Sequence, residues 1–418
     1  MKIRFFLVLV SILAFSNSAS GDSAAVLPQG VARLNLDLYH YQPTTQRYNS
    51  DGDREDLAYP FTNAALDSRV LPILAPLDAA VGGVASIGDV SVRYEYDIDV
   101  LDFGFSYGLN EQLSIGFHIP YYWITNHVDT SFDTGNANVG LNPGAGPPLI
   151  PLGAGGGPLS NDDVQNLIVN GYGFEPIDTW SREGIGDVEL GAKYLFNRQP
   201  YSALAITAGL RVPTGYEDDA DLLDDVAWSF GNYALLLRLH YDFLISRLWN
   251  TATEFSSLAP TVGDTVLNLT LRFDYMLPDK KLMRIGDSPD QLFTNNRERV
   301  SRKLGNLINL EASLKYQVTE AFAIATTYTY GCKGKDDIDG DMGFNYSSLE
   351  ADTDSTEQIV ILSADYSTLG AFRKNQSKIP MELSLAYRER FDGEGPSSGQ
   401  ANPKLYTRWL VAGVKILY

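Results

Sequence analysis

The chain has 418 residues, a formal net charge of −20 and a single cysteine. One cysteine excludes an internal disulfide, so this is not a stapled scaffold. The acidic balance argues against nucleic acid as a partner, and after residue 21 no stretch stays apolar for the roughly 20 residues a spanning helix needs.

In chain order, Lys2 and Arg4 precede the apolar run Phe5–Phe15, interrupted only by Ser11 and followed by Ser16, Ser18, Ala19, Ser20 and Gly21. Residues 1–20 therefore read as a signal peptide, cleaved near Ser20 or Gly21, on an exported protein. Beyond it, segment after segment alternates with period two. In Ala32–Leu38 the even positions are apolar. In Gly186–Phe196, Val188, Leu190, Ala192, Tyr194 and Phe196 alternate with Asp187, Glu189, Gly191 and Lys193. Tyr233–Tyr241, Leu267–Leu277, Ile308–Val318 and Met381–Tyr387 repeat the pattern. Alternation places one set of side chains on each face of a strand.

A soluble sandwich alternates too, and three features separate this chain from one. Its strands have the length of tilted membrane-spanning strands, about 9–11 residues or slightly more. The polar face carries full charges, while the apolar face ends in Tyr, Trp or Phe, as in a lipid-facing band with aromatic girdles. Connections alternate between short and long. The short ones are Gly108–Glu111, Asn197–Tyr201, Leu277–Lys280 and Val318–Glu320; the long ones lie near 42–87, 126–183, 214–227, 332–355 and 391–403. Short periplasmic turns and long extracellular loops are the rule for membrane barrels.

Strands are expected near 29–41, 88–107, 112–124, 184–196, 201–213, 229–241, 248–258, 264–277, 306–318, 321–331, 356–367, 379–390 and 404–418. A bacterial barrel needs an even number. If the strand ending at Leu277 and the one opening near Asn306 both run downward, an upward strand lies between them, starting at Lys281. The expectation is an all-β, antiparallel transmembrane barrel spanning 21–418 as one domain, with 14 strands, or 12 as the alternative. The closing run Val411–Tyr418 then pairs with Ala32–Leu38, so that no strand edge is left in the membrane.

Two loop segments stand apart. Gly140–Pro158 is rich in Gly and Pro, and Ser160-Asn161-Asp162-Asp163 before Val164–Val169 has the look of a capped short helix. The apolar stretch Val70–Val84 either folds back into the barrel mouth or covers the outer rim.

Catalytic signals are sparse. His118 and His240 fall on the lumen phase, whereas His40 is on the lipid-facing phase and His127 is in a loop. No Gly-x-Ser-x-Gly, paired histidines at metal spacing or phosphate-cradling loop is present. A barrel hydrolase built on His240 and a lumen serine is the least favoured reading. Acidic clusters occur at Glu217–Asp225 and Asp336–Asp341, and they read as solvated loops rather than calcium sites. No enzyme activity, cofactor or metal is expected. The candidate site is the set of lumen-lining charges: Asp187, Glu189, Lys193, Arg211, Arg238, Arg272, Asp274, Glu311, Lys315, Arg388 and Lys415. Their mixed signs suit a salt-bridged interior or a weakly selective path.

The stretch Gly184-Ile-Gly-Asp187-Val-Glu-Leu-Gly-Ala-Lys193-Tyr-Leu-Phe196, followed by Ala203–Val212 and Pro213-Thr214-Gly215, resembles the outer-membrane family known as "putative MetA-pathway of phenol degradation". Tyr107–Gly116 with Ile119-Pro120-Tyr121 resembles the preceding hairpin of that family. The likeness covers about residues 88–240. It implies uptake of aromatic or other hydrophobic compounds. The favoured function is thus a porin-like channel or transporter for small molecules in the outer membrane of a Gram-negative bacterium. Its expected partners are outer-membrane lipid, a small-molecule solute and the barrel-insertion machinery, which would read the terminal aromatic Tyr418. The alternative is a surface interaction or structural barrel with a blocked lumen, whose acidic loops bind a partner or ions.

Overall fold

The computed structural model describes residues 22–59, 61–139, 159–248, 261–289, 291, 293–396 and 403–418; the expected signal peptide and the Gly/Pro-rich 140–158 lie outside these. Twelve strands close into a barrel: β1 Ala32–Tyr41, β2 Ser86–Asn110, β3 Leu113–Asp133, β4 Val188–Gln199, β5 Ser202–Val212, β6 Ala234–Leu244, β7 Thr265–Met276, β8 Leu307–Gln317, β9 Phe322–Lys333, β10 Ser355–Ser367, β11 Met381–Glu394 and β12 Arg408–Leu417. Each is antiparallel to its sequence neighbour. Closure comes from β1 on β12, in a register running from Arg33 opposite Leu417 to Tyr41 opposite Trp409. Two short strands, Ala64–Asp67 and Trp180–Ile185, hydrogen-bond to the upper ends of β2 and β3 outside the closed ring.

The strand number is 12, not 14. Two expected strands have no place in the wall. β6 pairs with β7 along its whole length, from Ala234–Met276 to Leu244–Val266, which leaves no slot for a strand between them. Ile245–Leu248 is a turn of 3₁₀ helix there, and 249–258 lie outside the described residues. β7 in turn pairs directly with β8. The segment from Lys281 forms a strand, Asp279–Arg284, but it pairs with Arg297–Lys303 in a hairpin beyond the barrel rim. Hence β7 runs upward, and Leu277–Lys280 opens a long connection rather than a short periplasmic turn.

Polarity across the wall is inverted relative to a soluble protein. On β7, Asn268, Thr270, Arg272 and Asp274 are buried, whereas Leu269, Leu271 and Tyr275 are exposed. On β6, Leu235, Leu237, Leu239 and Tyr241 are exposed around buried His240 and Asp242. Exposed rings gather toward both ends of this apolar belt: Tyr107, Tyr194, Tyr316 and Tyr366 at the short-turn end, and Tyr233, Tyr275 and Phe391 at the other. Water would not tolerate so continuous an apolar exterior on a monomer; a bilayer requires it.

β2 and β3 are the longest strands, and they stay paired from Asn110–Leu113 up to Asp89–Asp133. They project past the rim. Their inner face there (Val90, Val92, Tyr94, Tyr96, Ile98, Ile124) packs with residues of the long loops in a single apolar cluster. The first loop joins it: Leu71 and Leu74 are buried, so the apolar stretch from Val70 packs inward. So does the second long loop, whose helix α1 Asn161–Asn166 is capped by Ser160 and Asp163 in a reciprocal box and buries Val164.

Candidate functional site: a charged, obstructed lumen beneath an aromatic mouth

Glu189 is the hub of the lower lumen. The ladder register sets it directly across from Arg211, whose Nε donates to it at 3.2 Å. Arg238 and Arg272 face each other across β6 and β7, a like-charge pairing that needs anions between them. Glu189 supplies one, accepting from Arg238 at 2.9 Å and from Arg272 at 3.4 Å. Asp274 links Arg272 to Arg211 instead, accepting from the Nε of Arg272 at 2.7 Å and pairing with Arg211. His118 stands 3.0 Å from Glu189 and 3.4 Å from Asp102. Glu189, Arg211, Arg272 and Asp274 are all nearly inaccessible. Charges so deeply buried persist only when paired, and this array spans the interior from β3 to β7.

A segment that is not part of the wall lies below the array. Residues 22–27 precede β1 and run inside the barrel. The Asp22 carboxylate accepts from Lys193 at 3.0 Å and sits 3.5 Å from His240 and 3.7 Å from Arg238. Its amide donates to Glu311 at 2.7 Å. Ser23 Oγ and the Ala24 amide donate to Asp242, at 2.7 and 3.0 Å, and the Leu27 amide donates to Ser114 at 2.8 Å. Ala24 and Val26 also pack against Leu195, Ala205, Leu244 and Val266 of the inner wall. The obstruction is held by side chains of many strands and by no continuous backbone ladder.

A cavity of about 300 Å³ remains beside this segment, lined among others by Asp37, Asp102, Glu189, Lys315 and Lys415. A second, of about 120 Å³, lies above the array; Arg211 is on its floor, with Tyr122, Asp187 and Trp228 around it. The charged array therefore separates two chambers.

The glycine-rich motif builds the neck between them. Gly186 and Asp187 interrupt what would be one strand, between Trp180–Ile185 and β4. A Cβ on Gly186 would lie 2.3 Å from the ring of Tyr122, so only glycine lets the backbone pass. Thr214 Oγ1 donates to the Gly186 carbonyl at 2.6 Å, and the Gly215 amide donates to Asp187 at 3.2 Å. The two halves of the motif thus meet in space and clamp loop 213–233 to the wall.

That loop closes the mouth. Trp228 stacks on Tyr122 at 5.6 Å and packs on Tyr216 at 4.9 Å. Its acidic run is solvated only in part: Glu217 and Asp219 are exposed, as are Asp337, Asp339 and Asp341 of the second cluster, whereas the others have partners. Asp218 pairs with Lys281, Asp221 with Arg284 and Arg297, and Asp225 with Arg182. Likewise Asp336 pairs with Lys333. Asp224, which accepts from the indole of Trp180 at 3.0 Å, is pushed up to about 6 by burial. Among the described residues no three His, Cys, Asp or Glu side chains converge as a metal site.

Of the candidate residues, Glu189, Lys193, Arg211, Arg238, Arg272, Asp274 and Glu311 join one array through Asp22. Asp187 serves the neck. Lys315 pairs with Asp365 at 2.7 Å, Arg388 lies 5.6 Å from the Tyr39 ring, and Lys415 lines the lower cavity. His240 contacts Thr207 and Thr270, at 2.9 and 3.3 Å. Sequence reasoning missed Asp22, Asp102 and Asp242. One signal was present: the inward set held more cations than carboxylates, so further anions had to come from elsewhere.

No family model matches the chain, and no curated protein matches its sequence. Solved structures do show similarity at the level of shape. A COG4313 outer-membrane channel from Pseudomonas putida F1 aligns over 97% of this chain and 100% of its own, with 11% identity and a TM-score of 0.49. A Pseudomonas aeruginosa FadL homologue aligns over 94% and 91%, with 11% identity and a TM-score of 0.33. A mutant of the TodX monoaromatic hydrocarbon channel gives 94%, 91%, 10% and 0.33.

Proposed function

We propose that the chain is an outer-membrane channel of a Gram-negative bacterium that passes small apolar or aromatic molecules. The observation that carries this reading is the stacked lumen. A chamber with Tyr122, Trp228 and Phe230 among charged side chains opens above a second charged chamber, inside a wall whose lipid-facing surface is apolar. A barrel serving purely as a scaffold has no need of two chambers in line with its axis. The obstruction at residues 22–27 is held by separable polar contacts, so it can leave without breaking the wall. Signal-peptide cleavage near Ser20 or Gly21 would leave this segment as the start of the exported chain. Lipid covers the outer belt, and the exposed ring of Tyr418 is where the insertion machinery would bind. The family likeness, resting on the neck motif, and the name of the TodX relative agree with aromatic cargo.

Uptake of labelled small aromatics by cells lacking the chain, compared with complemented cells, tests the reading. Uptake should fall on deletion and return on complementation. Unchanged uptake of every candidate solute would overturn it.

A further inference from the structure

The geometry points to the upper chamber as a binding site for a small aromatic carboxylate, with Lys404 as the residue that selects the negative charge. The inference deepens the channel reading and rests on it for its biological meaning only.

Size comes first. An apolar cavity of about 150 Å³ admits a benzene-sized molecule; this one, at about 120 Å³ and partly polar, is scaled to one ring at most. The walls suit a ring: Tyr122, Trp228, Phe230, Met283 and Ile338 line it. Among them Trp228 is positioned on both sides, its indole donating to the Ile185 carbonyl at 3.0 Å while its face lies on Tyr122.

Charge comes second. The chain as a whole is strongly acidic, yet this chamber is rimmed by Lys281, Arg302, Lys333, Arg390 and Lys404. Arg211 on the floor is paired with Glu189 and Asp274, and Asp187 also lines the chamber; the five rim cations draw on four further carboxylates. Asp218 pairs with Lys281, Asp279 with Arg302 and Asp336 with Lys333. Glu357 is left to serve two. Arg390 takes it at 2.9 Å, while Lys404 reaches the same group only at 3.6 Å, longer than a direct hydrogen bond. Lys404 is nonetheless buried, on a two-residue strand held against Arg47 and Tyr48. A buried ammonium that shares its carboxylate with a closer arginine is incompletely paired. An incoming carboxylate would complete its shell with a charge-assisted hydrogen bond while its ring filled the aromatic wall. A neutral ring gains only the second of these, and a cationic one is repelled.

The test uses the full chain in lipid nanodiscs and 4-bromobenzoate, whose bromine quenches indole fluorescence. The signal is the quenching lost in Trp228→Phe. Uncharged 4-bromobenzamide and cationic 4-bromobenzylamine are the comparison ligands. Saturable quenching by the carboxylate is expected, about tenfold tighter than by the amide, with none by the amine. Lys404→Gln should erase the preference for the carboxylate and leave the amide unchanged, and Lys404→Arg should keep it. Equal affinity of carboxylate and amide for the wild-type chain overturns the inference, as does a folded Lys404→Gln with unaltered preference. If Lys404→Gln fails to fold, the ranking of the three ligands on the wild-type chain still decides. Binding is read without transport, so a barrel that binds but does not carry solute fails the channel reading and leaves the site standing.

Discussion

Along β2 the inward-facing side chains change character at one level. Below Val100 they are Asp102, Gly104 and Ser106; above it they are Ile98, Tyr96, Tyr94 and Val92. The alternation is the same in both halves, and only the class of residue at the inward positions differs. The lower half is held by ion pairs that cross between strands, and the upper half by rings and loop residues packed together. The comparison teaches that one wall carries two kinds of interior. The lower array is made of charges that only other charges can replace, whereas the upper interior combines an apolar cluster on β2 and β3 with ion pairs among the loops around it.

The largest effect is expected at Glu189. Its loss leaves Arg211, Arg238, Arg272 and His118 to share what remains. Removing one partner of a buried ion pair costs about 3–5 kcal/mol, and Glu189→Gln should approach that loss in urea unfolding followed by tryptophan fluorescence. In the upper half, Tyr94→Phe should change stability by less than about 1 kcal/mol, because the Tyr94 hydroxyl finds no hydrogen-bond partner among the described residues. Equal losses for the two variants would erase the distinction between the halves.

A smaller effect sharpens it from above. Burial raises Asp224 from 3.8 to about 6, with Asp225 nearby opposing its ionisation and Arg182 and the Trp180 indole favouring it. A folded pKa above the unfolded one stabilises the packed loop fully at pH below the unfolded value. That contribution is lost as pH rises through the folded value. Acidification from pH 7.5 to 5 should therefore slow hydrogen exchange in residues 222–228 by about tenfold. Asp224→Asn should remove this dependence. Exchange that is insensitive to pH after correction for its intrinsic rate would show that Asp224 does not close the mouth.

The wall was legible because its inward and outward sets differ so sharply. Leu235 to Tyr241 and Leu267 to Tyr275 alternate apolar residues with full charges, and together with strand length and loop pattern that marks strands with one face in lipid. Strand number was not legible, because direction had been inferred from loop length. The β6–β7 connection, residues 245–264, is long although it lies on the short-turn side. The amphipathic hairpin Asp279–Lys303 imitates wall strands while standing outside the wall. For the site, the inward charges could be named but not paired, since pairing depends on register between strands. Asp22 was invisible for a different reason. It lies in a segment with no periodicity, and its position follows only from cations contributed by strands more than 150 residues away, Lys193 being 171 residues from it.

Residues 22–27 obstruct the lower lumen through contacts that can separate without breaking the wall. Single-channel conductance of the barrel lacking residues 22–27, compared with that of the full chain in the same planar bilayer, tests this directly. A stable conductance several-fold above that of the full chain is the predicted result. A folded deletion variant that conducts no more than the full chain would contradict it.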